Sequence, residues 1–243
     1  MTISAPAFNY IRNQLHAENV SLTQLAETYG TPLYVYSATQ IRTNFRAYDT
    51  ALSRALGRGA YTICYACKAN SNQAVLELLR KEGAGADIVS AGEMQRALAA
   101  GIDPAKIIFS GVGKTAEDID DALKAGVVHI NIEAEAELDL VAAIAKKRRM
   151  TAQVAVRVNP NVDARTHAKI TTGKKENKFG IDIDDVPALF RRGRKMPYID
   201  MNGVAVHIGS QLTSLTPFKR AYQRLAKLVV ALRRQGNTIT RVD

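Results

Sequence analysis

From residue 61 onward, short apolar runs alternate with longer amphipathic stretches. The runs at 62–67 (TICYAC), 86–89, 106–109, 128–132, 153–158 and 203–208 read as buried strands. The stretches at 73–81, from 90 onward, and at 115–124, 134–147, 184–193 and 216–234 carry helical periodicity, and a last strand begins within 238–242. Upstream, SLTQLAETYG (21–30) has capping-box spacing at Ser21 and Gln24, and Gly30 stops it before Pro32. LYVY (33–36) reads as a short strand and 37–56 as an amphipathic helix. Strand ends recur at Lys68, Val89, Phe109, Ile132 and Val158, at intervals of 21, 20, 23 and 26 residues. That rhythm predicts βα units wound by right-handed crossovers into a parallel sheet. The first of these turns lacks a G-x-G-x-x-G run, which favours a (β/α)8 TIM-type barrel over a doubly wound dinucleotide fold. With seven barrel strands at most, that barrel is expected to be incomplete.

Within the strands the side chains alternate. Thr62, Cys64, Ala66 and Lys68 share one face, Ala155 and Arg157 another, and Gly203, Ala205 and His207 a third, each opposite branched aliphatics. Helices packing outside the sheet take the aliphatic face, so the small-plus-polar face looks inward. Asp87 and Asn131 have the same parity. Lys68, Asp87, Asn131, Arg157 and His207 are therefore expected to converge on one rim, the catalytic end of such barrels. Each also has a plainer reading. Lys68 is then a lysine snorkelling to solvent, Asp87 and Arg157 a buried ion pair, His207 a hydrogen-bonded core histidine, and Glu93 the partner of Ser90 in a capping box. Five polar groups from five strands at one end favour the functional reading.

Composition changes this picture little. Hydrophobic content of 47% with 23% charged residues is that of a globular protein. No apolar run reaches membrane-spanning length and the amino terminus lacks signal-peptide architecture, so a cytoplasmic enzyme is expected. Cys64 and Cys67 form a C-x-x-C, but strand alternation sends them to opposite faces and no second pair completes a metal site. Charge is uneven, with a net of −4 over residues 1–145 and +14 over 146–243. A nucleic-acid surface is one reading of the basic half. Solvated helix faces bearing Arg191, Arg192, Arg220, Arg224, Arg233 and Arg234 are the commoner one, and a missing acidic partner segment is a third.

A shielded lysine beside another cation loses its proton readily and attacks carbonyls, so the chemistry that fits Lys68 is Schiff-base formation. That leaves a cofactor-free aldolase or an enzyme using pyridoxal 5'-phosphate (PLP). Small inward side chains beneath Lys68 leave room for a flat ring, His207 would lie against it, and Arg157 would offset phosphate or phenolate charge. Gly209 and Ser210 would allow close backbone approach and a hydroxyl donor to a phosphate.

The segments GTPLYVYS (30–37), YACKAN (65–70), ADIVSAGE (86–93), RVNPNVDARTHAKITTGKKENKFGI (157–181) and HIGSQ (207–211) carry a family resemblance. The chain resembles the amino-terminal part of the diaminopimelate decarboxylase family, PLP enzymes of the alanine-racemase-like barrel fold. The resemblance implies that Lys68 holds PLP covalently, that His207 stacks on the pyridine ring, and that Asp87, Arg157 and Ser210 line the cofactor pocket with Glu93 behind them. It implies decarboxylation of meso-diaminopimelate to L-lysine, with Lys68 and His207 as catalytic residues, in a cytoplasmic homodimer that uses neither nucleic acid nor membrane. The loop around 167–180 is expected to help close the site, and Cys67 and Asn177 depart from the family's usual valine and serine. Residues 1–36 would form a helix and strand that pack with a carboxyl-terminal β-domain, and residues 37–243 a partial PLP-binding barrel. Relatives continue past Asp243 into a glycine-rich phosphate loop, an acidic residue for the pyridine nitrogen and that β-domain, so the chain is expected to be a truncated part, inactive alone. The alternatives are a decarboxylase of the ornithine or arginine type and a non-catalytic PLP-binding regulatory barrel.

Overall fold

The computed structural model describes residues 7–162, 179–210 and 212–243. It opens with a small antiparallel sheet that the hydrophobic pattern does not predict, formed by β1 (Phe8–Ile11), β2 (Gln14–Ala17) and β3 (Val20–Ser21). Its first turn places Arg12 and Asn13 both at positive φ (48° and 63°), the geometry of a two-residue hairpin loop. Ser21 then caps α1 (Leu22–Tyr29), its side chain accepting from the Gln24 N–H. Residues 33–36 are not a strand: Leu33, Tyr34 and Tyr36 lie exposed in an irregular segment without ladder partners. Their β-prone side chains find no neighbouring strand, and propensity without a partner does not make a sheet. Ser37 caps α2 (Ala38–Leu56) and donates to the Glu18 carboxylate at 2.7 Å, which ties the hairpin to the start of that helix.

The remaining elements follow the βα order of the sequence. β4 (Cys64–Ala66) leads through a 3-10 turn at Cys67–Ala69 to α3 (Gln73–Lys81). β5 (Gly85–Ile88) precedes α4 (Ala91–Ala99), β6 (Ile107–Phe109) precedes α5 (Ala116–Ala125), and β7 (His129–Ile132) precedes α6 (Glu135–Arg148). β8 (Ala152–Asn159) is followed by the short β9 (Ile181–Asp182) and α7 (Val186–Gly193). β10 (Ile199–Ala205), α8 (Thr216–Arg234) and β11 (Arg241–Val242) complete the described chain. The strand order is β11-β10-β8-β7-β6-β5-β4, seven strands paired in parallel, with β9 added alongside β8. This is an open seven-stranded part of a barrel rather than a closed eight-stranded one.

Alternation holds along this sheet. Ile88, Ile130, Ile132, Val154, Val156, Val158 and Val204 are buried and belong to one core with Leu76, Leu138, Val141, Phe190, Leu225 and Leu232 of the helices. Cys67 joins this core, fully buried, whereas Cys64 faces the opposite side, and both thiols are free. On the inner side Gly203 is required by space, since a Cβ there would stand 2.8 Å from Ala155 Cβ and 3.0 Å from His129 Nε2. Strand edges differ by a few residues from expectation. β4 winds into its turn at Cys67, and β10 starts four residues earlier than predicted and ends at Ala205, with a bulge between Met201 and Gly203.

Candidate active site

The curled sheet encloses a cavity of about 810 Å³ on its inner face. Cys64, Ala66 and Lys68, Asp87, Asn131, Arg157, and Ala205 and His207 all line it, so the parity argument brings all five expected polar groups to one cavity. Residues from both edge strands line it too, Cys64 from β4 and Asp243 just after β11.

Lys68 sits in the 3-10 turn and its Nζ lies 3.3 Å from Asp87 Oδ2. The pair is partly solvated, with 50% of the Lys68 side chain and 21% of the Asp87 side chain exposed. The plainer reading of Asp87 and Arg157 as each other's ion pair does not hold. Asp87 faces Lys68, while Arg157 Nη1 donates to Glu133 Oε2 at 2.6 Å. The β7–β8 register explains this, because Ile132 pairs with Val156 and the next residues along are Glu133 and Arg157. Gly180 permits the close backbone pass beside Arg157, since a Cβ there would stand 2.8 Å from the Arg157 carbonyl oxygen and φ is +94°. The Phe179 ring lies 5.7 Å from the guanidinium carbon.

His207 follows the end of β10 at the mouth of the cavity. Partial desolvation of the ring on this exposed residue, then the cations Arg157 and Lys68, push its pKa below the ordinary imidazole value, against the opposing pull of Asp87 and Glu133. The ring is therefore held neutral at pH 7. Ser210 is exposed on the loop beyond it, behind Gly209 at φ 119°, and does not line the cavity. Glu93 lies beyond the wall. Ser90 caps α4 by accepting from the Glu93 N–H, and the Glu93 carboxylate accepts from the Val89 N–H at 2.8 Å rather than from Ser90.

Several polar groups at this site are absent from the expected set. Ser110 lines the cavity, and its Oγ accepts from Asn131 Nδ2, which also donates to Asp243 Oδ2 at 2.8 Å. Burial raises the Asp243 pKa, with the Asn131 hydrogen bond opposing the shift. Burial, then the Asp243 and Asp87 charges, push the Cys64 thiol up to about 12, which leaves it an inert wall group. His129, at the start of β7, lines the lower cavity with neither ring nitrogen partnered among the described residues, and burial pushes its pKa down to about 4. The segment 163–178, with His167 and Asn177, and Gln211 lie outside the described residues.

The basic half of the chain is partly accounted for by structural contacts. Arg224 and Arg233 donate to backbone carbonyls, and Arg192 pairs with Glu135 and Asp139. Among the described residues no helix is long and apolar enough to cross a membrane.

Comparison with known proteins places these features in a family. The sequence profile of the pyridoxal-dependent decarboxylase, pyridoxal binding domain, matches residues 38–243. The diaminopimelate decarboxylase of Pseudomonas aeruginosa is 48% identical over 236 residues, which cover 97% of this chain and 56% of that protein. The crystal structure of diaminopimelate decarboxylase from M. jannaschii in complex with L-lysine superposes with a TM-score of 0.90 at 37% identity, covering 98% of this chain and 56% of the other. The Helicobacter pylori enzyme complexed with L-lysine gives 0.84 at 42% identity, over 89% of this chain and 54% of the other. The chain thus spans about half the length of the relatives it matches. With a profile covering most of its length and an open parallel barrel whose inner wall carries Lys68, the chain belongs to the pyridoxal-dependent decarboxylase family, as its pyridoxal-binding domain.

Proposed function

We propose that the protein carrying this chain decarboxylates meso-diaminopimelate to L-lysine with PLP, and that Lys68 is the amine that binds the cofactor. The observation that carries this reading is Lys68 on the wall of a roomy cavity, above Cys64 and Ala66 and sharing that cavity with Arg157 and His207. The donor set suits the cofactor. Arg157 Nε and Asp87 Oδ1 are buried without partners among the described residues, and small side chains leave space for a flat ring. When bound, PLP supplies an electron sink for the pair left behind by departing carbon dioxide.

The chain's own residues do the rest. Asp87 balances the Lys68 charge before the amine is engaged, and Lys68 Nζ is the proton carrier on the cavity wall. His207 would lie against the cofactor ring, and its lowered pKa would keep it from adding a second positive charge. Arg157 would offset the cofactor's negative charge, whereas Ser210, exposed and outside the cavity wall, is left without a phosphate contact. Lysine bound to the M. jannaschii and H. pylori relatives supports lysine as the product. The same reading makes the whole protein a cytoplasmic homodimer in which residues 1–36 pack with a carboxyl-terminal β-domain.

The test is to incubate the whole protein with PLP and meso-diaminopimelate and follow lysine by chromatography. One lysine per carbon dioxide released is expected. Turnover of ornithine or arginine in its place would overturn the substrate, and binding of PLP without turnover of any of the three would favour a regulatory barrel.

A further inference from the structure

Glu133 is an acid that cavity chemistry alone does not call for. Its side chain is only 4% exposed, yet it carries a negative charge into a wall where a cofactor phosphate and a substrate carboxylate have to be accommodated. A buried carboxylate there is costly unless it serves another group. Its contacts identify that group. Glu133 Oε2 accepts from Arg157 Nη1 at 2.6 Å, a contact at the short end for a charge-assisted hydrogen bond.

Glu133 is itself braced from behind. Its backbone N–H donates to Glu137 Oε2 at 2.7 Å, and Glu137 Oε1 accepts from Lys114 Nζ at 2.8 Å. Lys114 is buried and also donates to the Gly111 and Asn131 carbonyls at 2.6 and 2.7 Å. Two acids and two bases thus form a neutral chain from the loop after β6, through the start of α6, to Arg157 on β8. Only Arg157, at the end of that chain, lines the main cavity, and its Nε has no partner among the described residues.

We infer that Glu133, held by the Lys114–Glu137 pair, is a positioning residue that fixes the Arg157 guanidinium toward the cofactor cavity. The inference rests on the reading of that cavity as the PLP site. A long arginine side chain has several rotamers, and fixing one in advance removes an entropy cost from binding. Glu133 acts only through Arg157, so its effect on PLP affinity must disappear when Arg157 is gone.

The experiment is a double-mutant cycle on the whole protein carrying this chain, with PLP as the probe and affinity read from the visible absorbance of the bound cofactor. Glu133→Gln is expected to weaken PLP binding about tenfold, Arg157→Gln at least as much, and the double variant no more than Arg157→Gln. Additive losses, or wild-type affinity in Glu133→Gln, would overturn the inference. A second readout needs no cofactor. The Arg157 Nε–Hε NMR resonance is expected to be ordered in the wild type, averaged in Glu133→Gln, and partly restored in Glu133→Asp. An unchanged Arg157 resonance in Glu133→Gln overturns the inference whatever PLP does. Failure of the wild-type whole protein to bind PLP counts against the cofactor reading and leaves the arginine resonance to decide the positioning role. Should Glu133→Gln not fold, Glu133→Met runs the same cycle, and unchanged affinity there overturns it.

Discussion

Lys114 and Lys68 both follow strands at the same end of the sheet, and they are treated in opposite ways. The Lys114 side chain is 1% exposed and its ammonium meets three acceptors, with the Phe109 ring 5.8 Å away. Lys68 is half exposed, has one carboxylate partner at 3.3 Å among the described residues, and looks into an open cavity. An ammonium has three donors, so Lys114 is saturated and Lys68 is not. A saturated buried lysine is a strut, because moving its proton or its position would orphan every group it satisfies. A lysine with donors to spare can exchange partners. Burial alone would have ranked Lys114 as the functional residue, and counting partners reverses that order.

This contrast breaks most sharply at Lys114. Lys114→Met leaves the part-buried Glu137 without its cation and the Gly111 and Asn131 carbonyls without their donor, a loss toward the lower end of about 3–5 kcal/mol for one partner of a buried pair. Urea denaturation measures it, and a loss below about 1 kcal/mol would mean that Lys114 is not the strut described.

His129 extends the series to a buried group with no partner among the described residues. Its folded pKa of about 4 lies below the ordinary 6.5, so the folded protein takes up this proton later than the unfolded chain does. The neutral ring's contribution is fully present above pH 6.5 and is lost as pH falls from 6.5 toward 4. Over that window the loss amounts to about 3 kcal/mol. Comparing wild type with His129→Asn isolates it from other titrating groups. The variant's acid limb should be flatter, and parallel limbs would show that the ring is hydrated or paired.

Much of this site is legible in the sequence because a strand has a period of two. Alternation alone identifies the inward set Lys68, Asp87, Asn131, Arg157 and His207, and all five line the cavity. Glu133 has the parity of Asn131 and lies one residue past β7, so its position was readable too. Its pairing with Arg157 depends on the β7–β8 register, which no local pattern carries. Lys114 sits in an aperiodic loop, where spacing says nothing about direction. The amino-terminal hairpin is invisible for a related reason: β1 is mostly exposed, and short strands with little to bury leave little hydrophobic pattern. The opposite error at 33–36 comes from apolar residues that stay in solvent.

The smallest expected effect on stability falls at Lys68, whose partly solvated pair contributes about 0–1 kcal/mol. The largest expected effect on chemistry falls there too. Borohydride reduction of the PLP-treated protein, followed by peptide mass spectrometry, tests the central claim directly. The account predicts a stable pyridoxyl-phosphate adduct on the peptide carrying Lys68, and none on that peptide in a folded Lys68→Ala variant. An adduct on Lys114 or another lysine in its place, or an undiminished protein-bound cofactor in Lys68→Ala, would contradict it.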